Sequence, residues 1–370
     1  MKSCKPSEED AKRTNTTKRK ATSHHQRPAK RPRLSDVAGP SPISQDKVKK
    51  VSRKRKRNED DDEELSRSPK KTKGLLGPTL TNEDSKTAIS SKDRAQTKRD
   101  EFEAKYQQEN PLGEGGYGSV FAGYRKADNL PVAIKYVKKI IFFEYTDDGE
   151  EMPAEVAVML RLQARTDNSV GKSAPVTLLD WYELEGQLVL VLERPESAVS
   201  LSDYVSDHGG ALEEATAKVI LQQLVDAAIY LQKNCIFHRD IKLENILIET
   251  DSEKPQLRLI DFGLSCFYDE NTEFDVCCGI LSQFPPEVLN MDNYSAGPGT
   301  VWQIGVVLYE MLHTMNFVST SFIQNKLRIR KKLSKRGQDF LKKCLAEDPM
   351  KRPTLEDLQS HQWLRYDTHD

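Results

Sequence analysis

Asp240, Lys242 and Asn245 place a carboxylate, an ammonium and an amide within the eight-residue stretch HRDIKLEN, His238 to Asn245. That set suits phosphoryl transfer, which is catalysed mostly by positioning and charge stabilisation. Asp240 would accept the proton of an attacking hydroxyl, Lys242 would offset charge on the transferring group, and Asn245 would hold a magnesium ion. LRLIDFGL, Leu257 to Leu264, places Asp261 at the end of an apolar strand. Asp261 beside Asn245 supplies two oxygen ligands, and magnesium uses few protein ligands beside phosphates and water. A lone Asp at either position reads as a solvated loop charge; the ordered combination is far more specific.

These side chains need a frame. The apolar runs Cys235 to Phe237 and Ile246 to Ile248 anchor both ends of the polar loop in a core. LGEGGYGSV comprises Leu112, Gly113, Glu114, Gly115, Gly116, Tyr117, Gly118, Ser119 and Val120. It reads as a hairpin whose bare backbone can lie over a triphosphate. VAIK, Val132 to Lys135, is an alternating strand ending in a lysine. Lys135 needs a counter-charge, and the helical stretch Met152 to Gln163, broken at Pro153, offers Glu155 in its first turn. Glu150 and Glu151 are alternatives, and Glu155 alternatively serves the helix dipole alone. Alternating segments at Val176 to Tyr182 and Leu188 to Leu192 complete a small antiparallel sheet. In the following ERPE, Pro195 has no amide hydrogen to offer a base. Helical patterns over Leu201 to Ser206 and Leu212 to Lys233 lead into the polar loop. Further on, Glu287 in FPPEVL seeks a buried arginine, for which Arg352 is the candidate. Val301 to Leu312 is apolar nearly all round, as a central buried helix should be.

A net charge of -1 conceals two unlike segments. Residues 1–100 hold 28 Lys and Arg against 15 Asp and Glu, while the rest hold 28 against 42. The first hundred residues contain no Phe, Tyr or Trp, too little apolar surface to offset chain entropy, and read as a disordered tail. With no apolar leader and no run long enough to span a bilayer, a soluble intracellular protein with reduced cysteines is expected. Basic clusters at Lys18 to Arg33 and Lys47 to Arg57 read first as import signals, with an import receptor as partner and residence in nucleus and cytoplasm; non-specific polyanion binding and a merely solvated tail are the alternatives. They lack aromatics to stack on bases, so nucleic acid is not expected as the main partner. Ser35 and Ser52 each follow a basic cluster.

With these residues assembled, Tyr106 to Leu364 resembles a eukaryotic Ser/Thr protein kinase, and most of all the Pim family. The closer resemblance rests on VAIKYV, LLDWYE, LERPE, HRDIKLENILI, LIDFG and FPPE. It implies an α+β fold of two lobes. A small antiparallel-sheet lobe with one helix would span 106–192, a hinge 193–196, and a mainly helical lobe 197–364. It implies ATP and Mg2+, with ATP held by Lys135, the 112–120 loop, Ala133 and Glu193, and the metal by Asn245 and Asp261. It also implies a monomeric enzyme acting on serines in basic contexts met by Asp203 and Glu244, with Ser35 and Ser52 as autophosphorylation candidates. Activity would not need activation-loop phosphorylation, because Asp269, Glu270, Glu273 and Asp275 would give Arg239 its negative charge. Three departures stand out: Ile280 follows Gly279 where the family has a threonine, Ser200 replaces an acidic substrate contact, and His313 to Leu333 is short for its usual helices. Two rivals follow: a weakly active or inactive kinase-fold scaffold, and a nucleic-acid-binding protein led by its tail.

Overall fold

Unbroken apolar runs such as Val132 to Ile134 and Leu188 to Leu192 demand cover on both faces of a sheet, and the chain supplies it from two directions. The computed structural model describes residues 91–365, apart from 117, 139, 141, 147, 148, 165–168, 185, 252 and 277. Ser35, Ser52, Tyr117 and both basic clusters lie outside the described residues.

The small lobe begins with helix α1 (Ser91–Lys105), followed by strands β1 (Tyr106–Gly115), β2 (Gly118–Arg125), β3 (Leu130–Val137), β4 (Phe143–Tyr145) and β5 (Glu151–Pro153). Helix α2 (Ala154–Gln163), β6 (Leu178–Leu184) and β7 (Gln187–Glu193) complete it. Among the described residues, β1-β2-β3-β7-β6 form one five-stranded antiparallel sheet. Alternation divides β3 and β7 between two cores. Val132, Ile134, Val189 and Val191 face Phe102 of α1, with Tyr106 and Tyr182. Val137, Leu188, Leu190 and Leu192 face α2 and the large lobe.

Helix α1 corrects the tail boundary, because residues 91–100, read as part of the disordered segment, form its first ten positions. Composition concealed this: apart from two alanines the helix is polar except for Phe102, and that one ring, 6% exposed, caps the outer core. Lys105 Nζ reaches Asp180 at 3.2 Å and Lys126 Nζ reaches the Glu103 carbonyl at 2.6 Å, fastening the helix to the sheet.

The large lobe runs β8 (Ala198–Ser200), α3 (Leu201–Asp207), α4 (Glu214–Lys233), β9 (Ile236–Phe237), β10 (Ile246–Glu249), β11 (Gln256–Leu259), β12 (Cys266–Phe267) and β13 (Glu273–Phe274). Then come α5 (Pro286–Leu289), β14 (Tyr294–Ser295), α6 (Ala296–Leu312), α7 (Ser319–Ile323), α8 (Lys335–Cys344), α9 (Leu355–Gln359) and α10 (Gln362–Arg365). Helix α6 is the buried hub, with Trp302, Ile304, Val307, Leu308 and Met311 fully enclosed against α4 and α8. Glu287 and Arg352 meet as expected: two guanidinium nitrogens donate to the two carboxylate oxygens at 2.6 Å each. Arg352 also donates to the carbonyls of Ala346 at 2.9 Å and Pro298 at 3.1 Å. No helix among the described residues is long and apolar enough to cross a membrane.

Candidate active site

Cross-strand pairing puts the first group of site residues on one face. Val120 pairs with Lys135, Ala122 with Ala133, and these in turn with Leu190 and Leu192. Directly paired residues point to the same side, so Val120, Ala133 and Lys135 share the face turned toward the large lobe. The β1–β2 hairpin runs out from this face, with Leu112 to Gly116 exposed. Gly118 is required there for contact rather than flexibility: a Cβ would lie 2.1 Å from the Tyr136 carbonyl.

Lys135 Nζ donates to Glu155 Oε1 at 2.6 Å and to Asp261 Oδ1 at 2.8 Å. This selects Glu155 over Glu150 and Glu151; Glu151 instead accepts from the Tyr145 hydroxyl at 2.8 Å, at the surface. Burial favours a neutral Lys135, but the two carboxylates outweigh it and raise the pKa above the ordinary lysine value. Asp261 is pushed up by burial and more strongly down by Lys135, so its pKa lies below the usual carboxylate range. Asp261 itself has φ +63, left-handed backbone that turns the carboxylate toward the lysine.

The second group lies in the loop after β9. Asp240 Oδ2 accepts from Lys242 Nζ at 2.6 Å and from Asn245 Nδ2 at 2.8 Å, and the same amide donates to the Asp240 carbonyl at 2.9 Å. Opposite lies Gly279 with φ +103, where a Cβ would stand 3.3 Å from Asp240 Oδ1. Buried His238 packs against Phe262 with 4.9 Å between ring centres and the planes tilted by 52°, and it accepts from the Asp240 amide at 3.3 Å. The two groups are joined: the Ile260 amide donates to the Asn245 carbonyl at 3.1 Å, so Asp261 follows directly from a residue bonded to the Asp240 loop.

Asn245 and Asp261 offer oxygen donors on adjacent, tied backbone, a set that fits a hard divalent cation with few protein ligands. Asp261 is already engaged through Oδ1 by Lys135. Of the substrate candidates, Asp203 is exposed and Glu244 half-buried, on α3 and the 3-10 turn that packs beside it. Ser200 is the N-cap of α3, accepting from the Asp203 amide at 3.0 Å and donating to its carboxylate at 2.8 Å. At the connector between lobes, Glu193 pairs with Arg258 of β11, whose Nη1 also reaches Glu249 at 3.0 Å.

Arg239 departs from expectation. Its guanidinium lies 4.6 Å from the Phe274 ring centre, 5.2 Å from Phe142 and 6.0 Å from Phe237, with Nη1 3.7 Å from Cys278 Sγ. None of the four loop carboxylates pairs with it. Strand β13 turns Phe274 inward and Glu273 outward, where Glu273 accepts from Asn293, and Asp269 caps its own turn through Thr272. Cation–π contact with aromatic faces replaces an anion.

Gln303 was missed by sequence reading. From the α6 hub its Nε2 donates to the Arg239 carbonyl at 2.6 Å, immediately before Asp240, where Arg239 has φ +68. Its Oε1 is buried without a partner. Together with Asp240, Gly279, Ile280 and Gln283 it lines a cavity of about 30 Å³. The available signal was a single amide inside a helix that is mostly apolar.

Comparison with known proteins gives this geometry its context. The protein kinase domain family matches residues 106–364. Serine/threonine-protein kinase pim-2 of Danio rerio is 32% identical over 279 residues, covering 73% of this chain and 88% of that one. Serine/threonine-protein kinase prk-2 of Caenorhabditis elegans is 27% identical, covering 72% and 60% of the two chains. NUAK family SNF1-like kinase 1 of Homo sapiens is also 27% identical, covering 71% and 39%. The chain therefore belongs to the protein kinase family and is a serine/threonine-protein kinase, using ATP and a divalent metal as that family does.

Proposed function

We propose that the protein is an active, Pim-like kinase that transfers the γ-phosphate of ATP to serine or threonine in basic contexts without prior loop phosphorylation. The observation that carries this reading is the closed contact of Lys135 with both Glu155 and Asp261, at 2.6 and 2.8 Å. A lysine clamped between two carboxylates is already aimed, so phosphate binding needs little reorganisation. When bound, Mg2+ at Asn245 and Asp261 would neutralise phosphate charge. Asp240 holds the acceptor hydroxyl and takes its proton as oxygen bonds to phosphorus and the bond to ADP breaks. Lys242, beside the same carboxylate, offsets charge on the moving group. The aromatic seat of Arg239 supports activity without a phosphate, since the guanidinium is already fixed. Asp203 and Glu244 would meet basic residues of the substrate, favouring encounter with cationic peptides.

Ile280 favours a second reading, a weakly active scaffold, because no hydroxyl is available there to bond Asp240. A peptide phosphorylation assay separates the two. The proposal expects turnover by the wild type, preference for Arg-rich over neutral peptides, and no more than a few-fold gain in Ile280→Thr. Turnover that appears only in Ile280→Thr would favour the scaffold. Ser35 and Ser52 remain proposed acceptors, tested by mass spectrometry of wild type beside Asp240→Asn; import through the basic clusters is tested by the location of a fluorescent fusion to residues 1–100.

A further inference from the structure

The domain carries one surface whose charge is opposite to the rest. Between Met311 and Gln338 there is no acidic residue but seven Lys and Arg, whereas the remainder of residues 101–370 holds 21 Lys and Arg against 42 Asp and Glu. Lys326, Arg328, Arg330, Lys331, Lys332 and Lys335 are all exposed, and no described carboxylate lies within ion-pairing distance of them.

The segment is a fixed ridge. Leu327 is buried, and Ile329 and Leu333 pack on the main core. The Arg330 amide donates to His313 Nε2 at 3.0 Å, its Nη1 to the Leu312 carbonyl at 3.0 Å, and Gln338 Nε2 to the Leu333 carbonyl at 2.8 Å. With Leu327 buried and Ile329 and Leu333 packed on the core, Lys326, Arg328, Arg330, Lys331 and Lys332 are left exposed along a segment that bends at 326–327 and turns again at 331–333. Packing does not call for this concentration of charge, and mutual repulsion works against it.

Its position is informative. Helix α7, from which the ridge starts, packs on the 3-10 turn Leu281–Gln283 and on α5. Gln283 of that turn lines the same cavity as Asp240. A protein bound with its hydroxyl at Asp240 would have neighbouring segments within reach of the ridge.

We infer that this ridge is a docking site for an acidic segment of protein substrates, separate from the residues that flank the phosphorylated one. The inference rests on the kinase reading above. Nucleic acid is the poorer fit, because Phe317 and Phe340 are buried and Phe322 half-buried, leaving no exposed ring between Met311 and Lys343 for base stacking. A membrane surface is also a poorer fit, since α7 has only five residues and offers no long amphipathic face.

The test uses the full chain and two peptides with one acceptor sequence, one of them extended by about 20 Gly-Ser residues, spanning roughly 25 Å, and then six glutamates. The extended peptide should show a KM about tenfold lower at low salt. That advantage should shrink to about twofold at 0.5 M salt, as expected for exposed charges. It should vanish in Lys331→Glu/Lys332→Glu/Lys335→Glu, whose kcat on the plain peptide stays unchanged. Equal KM values in the wild type, or an advantage surviving in the triple variant, would overturn the inference. So would an oligonucleotide of equal charge binding tenfold more tightly than the glutamate segment. Absence of turnover on the plain peptide would instead sink the kinase reading; docking is then read from fluorescence anisotropy of the glutamate segment, which must weaken in the triple variant.

Discussion

Replacing Gln303 with leucine should slow the chemical step while leaving nucleotide binding alone. The side chain makes one short bond, 2.6 Å from Nε2 to the Arg239 carbonyl, and carries one buried acceptor, Oε1, without a partner. Removing the donor strands a buried carbonyl, a cost of about 1–3 kcal/mol. Removing the unpartnered Oε1 relieves a penalty of the same order, so the loss of folding stability should stay below about 2 kcal/mol. Catalysis has no such offset. Arg239 sits in left-handed backbone at φ +68, and freeing its carbonyl lets the adjacent Asp240 carboxylate drift. A loss of about 1.4 kcal/mol in the transition state alone lowers kcat tenfold. The Lys135, Glu155 and Asp261 cluster is untouched, so KM for ATP should change by less than twofold. Gln303→Glu keeps the shape but sets an oxygen against the carbonyl, and should lower kcat at least as much. Steady-state kinetics with thermal melts decide the matter. A kcat within twofold of wild type in both variants, alongside a lowered Tm, would make Gln303 a packing residue and refute the reasoning.

Glu287→Ala leaves the fully enclosed guanidinium of Arg352 without its counter-charge, which should cost about 3–5 kcal/mol; Glu287→Leu/Arg352→Met should recover a large part, measured by urea denaturation. Phe102→Ala, at the outer core beside Tyr106 and Tyr182, should cost about 3 kcal/mol, and a neutral result would show that α1 contributes nothing to the small lobe. Burial holds the His238 imidazole below its ordinary 6.5. The unfolded chain then binds a proton that the folded one refuses, so this contribution is intact above pH 6.5 and is lost as pH falls. The slope is at most about 1.4 kcal/mol per pH unit, and His238→Phe should flatten the stability profile as pH falls below 6.5 relative to wild type.

Local signals carried much of this molecule. The pairs Lys135–Glu155 and Glu287–Arg352 were legible because Lys135 and Glu287 close apolar or proline-bound segments and each calls for an opposite charge, although Glu155 had Glu150 and Glu151 as rivals and Arg352 lies among other charged residues. The loop holding Asp240, Lys242 and Asn245 was legible because its chemistry is concentrated in eight residues. What escaped depended on tertiary contact between distant segments. Helix α1 looks like tail by composition, and only the two-sided apolar pattern of β3 and β7 hints that something must cover the outer face. The seat of Arg239 joins Phe142, Phe237 and Phe274 from three separate segments, a convergence that charge counting along one loop cannot reveal. Gln303 lies 64 positions from the residue whose carbonyl it holds.

The central claim is that Lys135 and Asp261 serve the nucleotide while Asp240 serves the acceptor hydroxyl, in one site. Calorimetric titration of Mg-ATP into wild type and Asp240→Asn, paired with single-turnover transfer to a peptide, tests that division most directly. ATP affinity should stay within about threefold in the variant and transfer should slow by at least a hundredfold. Transfer at the wild-type rate, or loss of ATP binding together with transfer, would contradict it.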